Sequence, residues 1–119
     1  RQMCIRDSGG TDPADYYAMT AELDSRLDEA AANPYLVSTL RTLRLHLARL
    51  RRLAADDPAR LAASAAEHAD IADAVGSGAA DLAEATTRVH LHHAFHHLTR
   101  RGRAEETPTL LTPTEGDRP

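Results

Sequence analysis

Residues 67–90 read EHADIADAVGSGAADLAEATTRVH, and this stretch decides the fold of the chain. On both sides of the GSG break at 76–78, small and aliphatic residues recur every three or four positions, which is typical of amphipathic helices. The glycines predict a turn between the two helices. Each helix carries one histidine, His68 or His90, so antiparallel packing would bring two imidazoles together.

The other predicted helices begin with one repeated signal, an Asp or Asn followed by Pro. The acidic or amide side chain caps a free backbone N–H, and proline at the first helical position loses no hydrogen bond. These breaks predict helices over 13–32, 34–54, 58–75 and 79–101. Short loops between long helices favour antiparallel neighbours, so we expect an all-α, antiparallel helical bundle. The pairs are Asp12–Pro13, Asn33–Pro34 and Asp57–Pro58.

The apolar pattern predicts which helix faces are packed. His68 falls inside the apolar stripe of the third helix, and His90 borders an apolar arc of the fourth. The second helix carries the most regular stripe, with alternating spacings of four and three, and we expect that stripe to pack against neighbouring helices. Its members are Leu36, Leu40, Leu43, Leu47 and Leu50.

Composition excludes several classes of function. The net charge is −4, which argues against a nucleic-acid-binding surface by charge alone. Cys4 is the only cysteine, so there is no disulfide framework, and no apolar run is long enough to span a membrane. The sequence shows no nucleophile–base pair, phosphate loop or zinc-finger spacing. We therefore expect a cytoplasmic protein that is not an enzyme.

The two ends of the chain differ from its middle. Residues 1–10 fit no helical pattern and are interpreted as a non-native or disordered leader. Residues 11–102 form the predicted helical domain. Residues 103–119 are rich in Thr, Pro and Glu without periodicity, which predicts a disordered tail.

With these motifs placed, residues 15–100 resemble the FCD domain, the C-terminal ligand-binding domain of the FadR-type branch of GntR transcriptional regulators. The turn at 30–36 (AAANPYL) also matches that family's entry into its next long helix. The resemblance implies a truncated FCD-like effector-binding domain of a bacterial regulator and a homodimer. It also implies operator DNA as a partner, through an N-terminal winged helix absent from this chain. The matching positions are His68, Ile71, Ala74, Val75, Gly78, Ala83 and His90.

The family also implies a ligand set. Its divalent metal is typically bound by an Asp, a His four residues later, and two later His, of which this chain keeps His68 and His90. Thr20 stands at the usual Asp position and Asp24 at the usual first His. A gapped alternative would instead place Asp24 and Asp28 there. The resemblance thus implies a possible Zn, Ni, Fe or Mn site. Its ligands would be Asp24, His68 and His90, with Thr20, Arg44 and His93 as candidate effector contacts.

Other interpretations compete with a metabolite pocket. His68 and His90 can be structural histidines at the edge of a core. The chain can also be a four-helix metal-binding protein or metalloenzyme, or a dimerisation bundle without a ligand. The histidine-rich end of the fourth helix is interpreted as a solvated helix end that complements the helix dipole. Its members are His92, His93, His96 and His97.

Overall fold

A computed structural model of the protein describes residues 12–53 and 57–105. All the regular structure in these two ranges is helical, which confirms the predicted all-α bundle. The predicted leader lies outside the described residues, as does the predicted tail from residue 106 onward. The last helix runs past its predicted end at 101. The helices are α1 (Pro13–Ala31), α2 (Pro34–Leu53), α3 (Pro58–Gly76) and α4 (Ala80–Glu105).

The predicted capping residues start the first three helices. The side-chain oxygens of Asp12, Asn33 and Asp57 each accept a hydrogen bond from a first-turn backbone N–H, at 3.0 to 3.1 Å. Each cap satisfies a donor that the helix itself leaves free. Gly78, with φ of 73°, makes the turn between α3 and α4. That positive φ explains why a glycine stands there.

The packed part of the chain is built around α3. This helix packs along α4 and also contacts α1. Ala69, Ile71 and Ala74 are buried on α3, and their small or aliphatic side chains let the neighbouring helices approach closely. On the α1 side, the Tyr16 hydroxyl and the Ser64 hydroxyl lie 2.6 Å apart and join the two helices through a buried hydrogen bond.

The leucine stripe of α2 differs from its prediction. Leu36, Leu43, Leu47 and Leu50 are 39 to 51 % exposed, so the expectation that the stripe is buried by neighbouring helices is wrong within the described chain. The reason is that α2 takes no part in the two main helix–helix interfaces. It is tied to α1 mainly by polar contacts, such as the hydrogen bond from the Tyr17 hydroxyl to the Arg51 carbonyl at 2.6 Å.

The apolar arc predicted for α4 is also only partly covered. Ala94 and Leu98 are half-buried, whereas Leu91 and Phe95 are 57 and 66 % exposed. In the described ranges, none of the helices is long and apolar enough to cross a membrane.

Candidate functional site

The two histidines of the opening stretch meet between α3 and α4. The ring centroids of His68 and His90 lie 4.3 Å apart, with the planes tilted by 55°. His68 is 9 % exposed, and the His90 side chain is 12 % exposed. The periodic pattern predicted both positions, because it placed one histidine within an apolar stripe and the other at an apolar edge.

Hydrogen bonds fix the neutral tautomer of both rings. The Nδ1 atom of His68 lies 2.8 Å from the Ser64 carbonyl oxygen, and Nδ1 of His90 lies 2.6 Å from Oε2 of Glu67. A carbonyl and a carboxylate can only accept, so Nδ1 carries the proton in each neutral ring. Each Nε2 atom is then left with a lone pair, the arrangement of a metal-ligating or ligand-facing histidine.

Glu67 organises the α3–α4 side of the site. Its carboxylate accepts two hydrogen bonds from the Arg60 guanidinium, both at 3.2 Å, and one each from His90 and His93, both at 2.6 Å. Burial raises the pKa of Glu67, but these hydrogen bonds outweigh burial and lower it to about 2. The carboxylate is therefore ionised at neutral pH and links α3 to α4.

His68 is held in its neutral form. Burial, reinforced by the positive charge that His90 can carry, lowers the pKa of His68 to about 4, while the hydrogen bond to Ser64 opposes the change. A neutral imidazole at pH 7 suits a ligand atom or a hydrogen-bond acceptor better than an anion-binding cation.

Asp24 and Arg44 belong to a charged cluster between α1 and α2. Arg44 makes two hydrogen bonds to the Asp28 carboxylate, at 2.6 and 3.0 Å, and its Nε atom lies 3.4 Å from Asp24. Arg51 approaches Asp24 at 4.0 Å. Burial raises the pKa of Asp24, although both arginines oppose that change. The positive charge of Arg44 is thus balanced by two carboxylates. These side chains line a groove of about 510 Å³ between α1 and α2.

Thr20 and His93 also have partners. Thr20 is 4 % exposed, and its hydroxyl donates to the Tyr16 carbonyl at 2.9 Å, within α1. His93 has a half-exposed side chain that donates to Glu67. Neither residue lines the cavity next to His68 and His90.

The predicted metal ligands fit a metal only in part. The two imidazoles are suited to one, since each has its Nδ1 atom bonded and its Nε2 atom available. Asp24, however, is paired with two arginines, and the Thr20 hydroxyl is used by the α1 backbone. Across residues 12–53 and 57–105, no three His, Cys, Asp or Glu side chains are grouped so that they could hold a metal ion. The donor set in this arrangement does not fit the family's metal site, and metal binding stays a prediction.

A cavity of about 100 Å³ lies beside the histidine pair. Leucines from three helices form much of its apolar wall, and the polar lining includes both histidines, Tyr16 and Arg51. Pockets of this kind, mostly apolar with a few convergent polar groups, are typical small-molecule sites. The leucines are Leu47 and Leu50 on α2, Leu61 on α3, and Leu91 and Leu98 on α4.

His97 is a lining residue that the sequence interpretation missed. It was assigned to a solvated helix end, but its side chain is only 18 % exposed and its Nε2 atom is buried without a hydrogen-bond partner in the described part of the chain. Its Nδ1 atom lies 3.8 Å from Oδ2 of Asp57. The available signal was its spacing of seven residues from His90, which places both on one helix face.

A model of the FCD domain family matches residues 1–93, which include both histidines of the site. The chain belongs to the FCD family. FCD domains are the regulatory, effector-binding domains of GntR-family transcription factors, so the cavity beside His68 and His90 lies in a domain of that class. No curated protein and no solved structure matches the chain.

Proposed function

We propose that this FCD domain is the effector-sensing and dimerisation domain of a bacterial GntR/FadR-type DNA-binding regulator, and that its effector is a small carboxylate metabolite. The observation that carries the proposal is the leucine-walled cavity beside His68 and His90, whose Nδ1 atoms are both held by protein acceptors. The apolar wall supplies affinity, the Arg51 guanidinium in the lining can meet the carboxylate, and the imidazole Nε2 atoms can accept a hydrogen bond from a donor group of the effector. No residue is proposed to be catalytic.

The cavity lies where binding can move a helix. Leu47 and Leu50 of α2 line one wall, whereas α3 and α4 supply much of the rest. Because α2 takes no part in the α3–α4 and α1–α3 interfaces, an effector in the cavity would draw α2 toward α3 and α4. Such a ligand shifts the population toward the arrangement that it binds best. In a cytoplasmic regulator, this shift would reposition the winged helices on operator DNA.

The exposed leucines of α2 support the dimerisation part of the proposal. Leu36 and Leu43 are 46 and 51 % exposed on one face of the helix. Apolar faces of this kind mark interaction surfaces. We propose that a second copy of this chain covers the face and forms a homodimer.

Thermal unfolding of the chain in the presence of a panel of small carboxylates tests the effector proposal. A member of the panel should raise the Tm of the wild type but not that of a His68→Ala, His90→Ala double variant. The matched control is His92→Ala, His96→Ala, which removes two exposed histidines of α4 that do not line the cavity. Equal Tm shifts in both double variants would overturn the proposal, as would a panel that leaves the wild-type Tm unchanged.

A metal-binding function is the second candidate, and the free Nε2 positions of the facing imidazoles favour it. His68, His90 and Asp24 would bind Zn, Ni, Fe or Mn, provided that Asp24 leaves Arg44 and Arg51. Equilibrium dialysis with each metal is the direct measurement. Binding by the wild type that is lost in His68→Ala and weakened in Asp24→Asn supports this candidate. Binding that His92→Ala, His96→Ala abolishes would assign it to the exposed histidines instead.

A further inference from the structure

We infer that Arg51 has two alternative partners: the Asp24 carboxylate in the effector-free protein, and the carboxylate of the effector once it binds. The inference rests on the proposed effector-binding function and deepens it by stating how that site is regulated. Arg51 lines both the cavity beside the histidine pair and the groove between α1 and α2. Asp24 lines only the groove, so it competes for Arg51 without entering the cavity.

Arg51 is loosely held on the groove side. Its Nη1 atom lies 4.0 Å from Oδ2 of Asp24, at the outer limit of an ion pair and beyond hydrogen-bond distance. The Arg51 side chain is also 34 % exposed, so solvent screens the pair. Asp24 has a closer partner in Arg44, whose Nε atom lies 3.4 Å away. Arg51 can therefore leave Asp24 at little cost, since that carboxylate keeps a second guanidinium.

Two arginines line the cavity, and Arg51 is the one with the weaker partner. The Arg60 guanidinium donates two hydrogen bonds to Glu67, both at 3.2 Å. Arg51 is also close enough to His68 to affect it: burial lowers the pKa of His68 most, and the positive charge of Arg51 lowers it further. A carboxylate beside His68 would thus meet its positive charge at Arg51, where a guanidinium can bind it through two parallel hydrogen bonds.

The change of partner links the cavity to the attachment of α2. Arg44 and Arg51 lie seven residues apart on one face of α2, and their nearest carboxylates are those of Asp24 and Asp28 on α1. An effector that binds Arg51 removes one of these ion pairs and adds a contact between α2 and the cavity. Because two anions compete for one guanidinium, any change that weakens the Asp24–Arg51 pair must tighten effector binding.

Binding of linear monocarboxylates with three to six carbons to the 119-residue chain, measured by NMR titration, tests whether Arg51 binds the carboxylate. At least one acid should bind about tenfold more tightly than its uncharged amide, and this preference should disappear in Arg51→Gln. Arg52→Gln is the control, because Arg52 lines the groove but not the cavity. The inference is wrong if no acid binds, if acid and amide bind equally, or if the preference survives in Arg51→Gln.

Variants of Asp24 separate competition from a structural role. Asp24→Asn should tighten binding of the same acid about threefold, because Arg51 loses its alternative partner. Asp28→Asn is the matched control: it removes a carboxylate from the same groove, but one that binds Arg44, and should change the affinity less. In an Arg51→Gln background, Asp24→Asn should have no effect.

Two results with these variants would overturn the inference. One is an Asp24→Asn variant that binds the acid no more tightly than the wild type. The other is an equal gain from Asp24→Asn with and without Arg51, which would reflect the lost charge alone. If carboxylate binding still needs His68 and His90 in either case, the proposed function stands without the inference.

Discussion

Glu67 shows how much of this site depends on one side chain. Its carboxylate accepts hydrogen bonds from Arg60 of its own helix and from His90 and His93 of α4. The same contact that ties the helices together also sets the tautomer of His90. Orientation of a functional histidine by a carboxylate is common at ligand and metal sites.

Replacing this carboxylate should destabilise the fold. Glu67→Gln keeps the shape of the side chain but puts an amide donor against donors, so that Arg60 and the histidines lose acceptors. We expect a loss of about 2 kcal/mol in the free energy of unfolding, measured by urea denaturation. Glu22→Gln is the control, because its ion pair with Arg26 is about 60 % exposed and should contribute less than about 0.5 kcal/mol. Equal losses in the two variants would contradict the role of Glu67.

His68 should make stability depend on pH. Its pKa is about 4 in the folded chain, below the ordinary value of 6.5, so between these values the unfolded chain binds a proton that the folded chain does not. Stability contributed by neutral His68 is therefore present above pH 6.5 and is lost as the pH falls toward 4, by at most about 3 kcal/mol. Loss of the Glu67 contribution follows at lower pH, between 4.5 and about 2.

Urea denaturation between pH 7 and 4 checks the His68 contribution. His68→Asn cannot titrate, but its amide can still donate to the Ser64 carbonyl. The variant should lose less stability than the wild type over this range. If the free energy of unfolding fell equally with pH in the two proteins, His68 would not be the group that causes the loss.

At the level of elements, the helix ends follow from local chemistry, and two residues at these ends adopt a positive φ. Ala32 ends α1 with φ of 48°, in the left-handed region that L side chains rarely adopt. Gly78 adopts φ of 73° before α4, and a Cβ added there would meet nothing within 4 Å. A side chain at Gly78 would therefore add backbone strain but no clash. At Ala32, a side chain already sits on a backbone with this strain.

Substitutions at these two positions should change the free energy of unfolding in opposite directions. Ala32→Gly should raise the free energy of unfolding by about 0.5 kcal/mol, because glycine relieves the strained φ but adds entropy to the unfolded chain. Gly78→Ala should lower it by about 1 kcal/mol. Differential scanning calorimetry of both variants measures the two changes in stability. A stabilising Gly78→Ala would mean that this turn does not require its positive φ.

At the scale of the whole molecule, the four helices are packed unevenly. The chain builds its core from α1, α3 and α4, and leaves the leucine face of α2 only partly covered in the described residues. A face with several leucines 39 to 51 % exposed is unusual for an isolated domain and favours association. The same loose attachment leaves room for the cavity.

Association through α2 should be sensitive to charge on the leucine face. Leu43→Glu should weaken a homodimer at least about tenfold, because it buries a carboxylate without a partner at the interface. Sedimentation velocity over a range of concentrations measures the effect. Leu45→Glu is the matched control, since Leu45 is 71 % exposed and lies off the leucine stripe. Equal weakening by the two variants would place the interface elsewhere.

The sequence predicted the elements better than the contacts between them. The caps at Asp12, Asn33 and Asp57 and the meeting of His68 with His90 followed from patterns within a few turns of helix. The partners of Arg44 could not be predicted from such patterns. Asp24 and Asp28 lie on another helix, and packing sets the rotation of that helix relative to α2.

By itself, the amino-acid sequence determined the four helices, most of their ends and the family, since capping, periodicity and motif spacing are local properties of the chain. Only the tertiary structure decided that His97 enters the cavity, that the Arg44 charge is matched by carboxylates, and that the leucines of α2 stay exposed. Those outcomes depend on how each helix is rotated and how far apart the helices pack. A stripe shows which face of a helix is apolar, but it does not show what that face will contact.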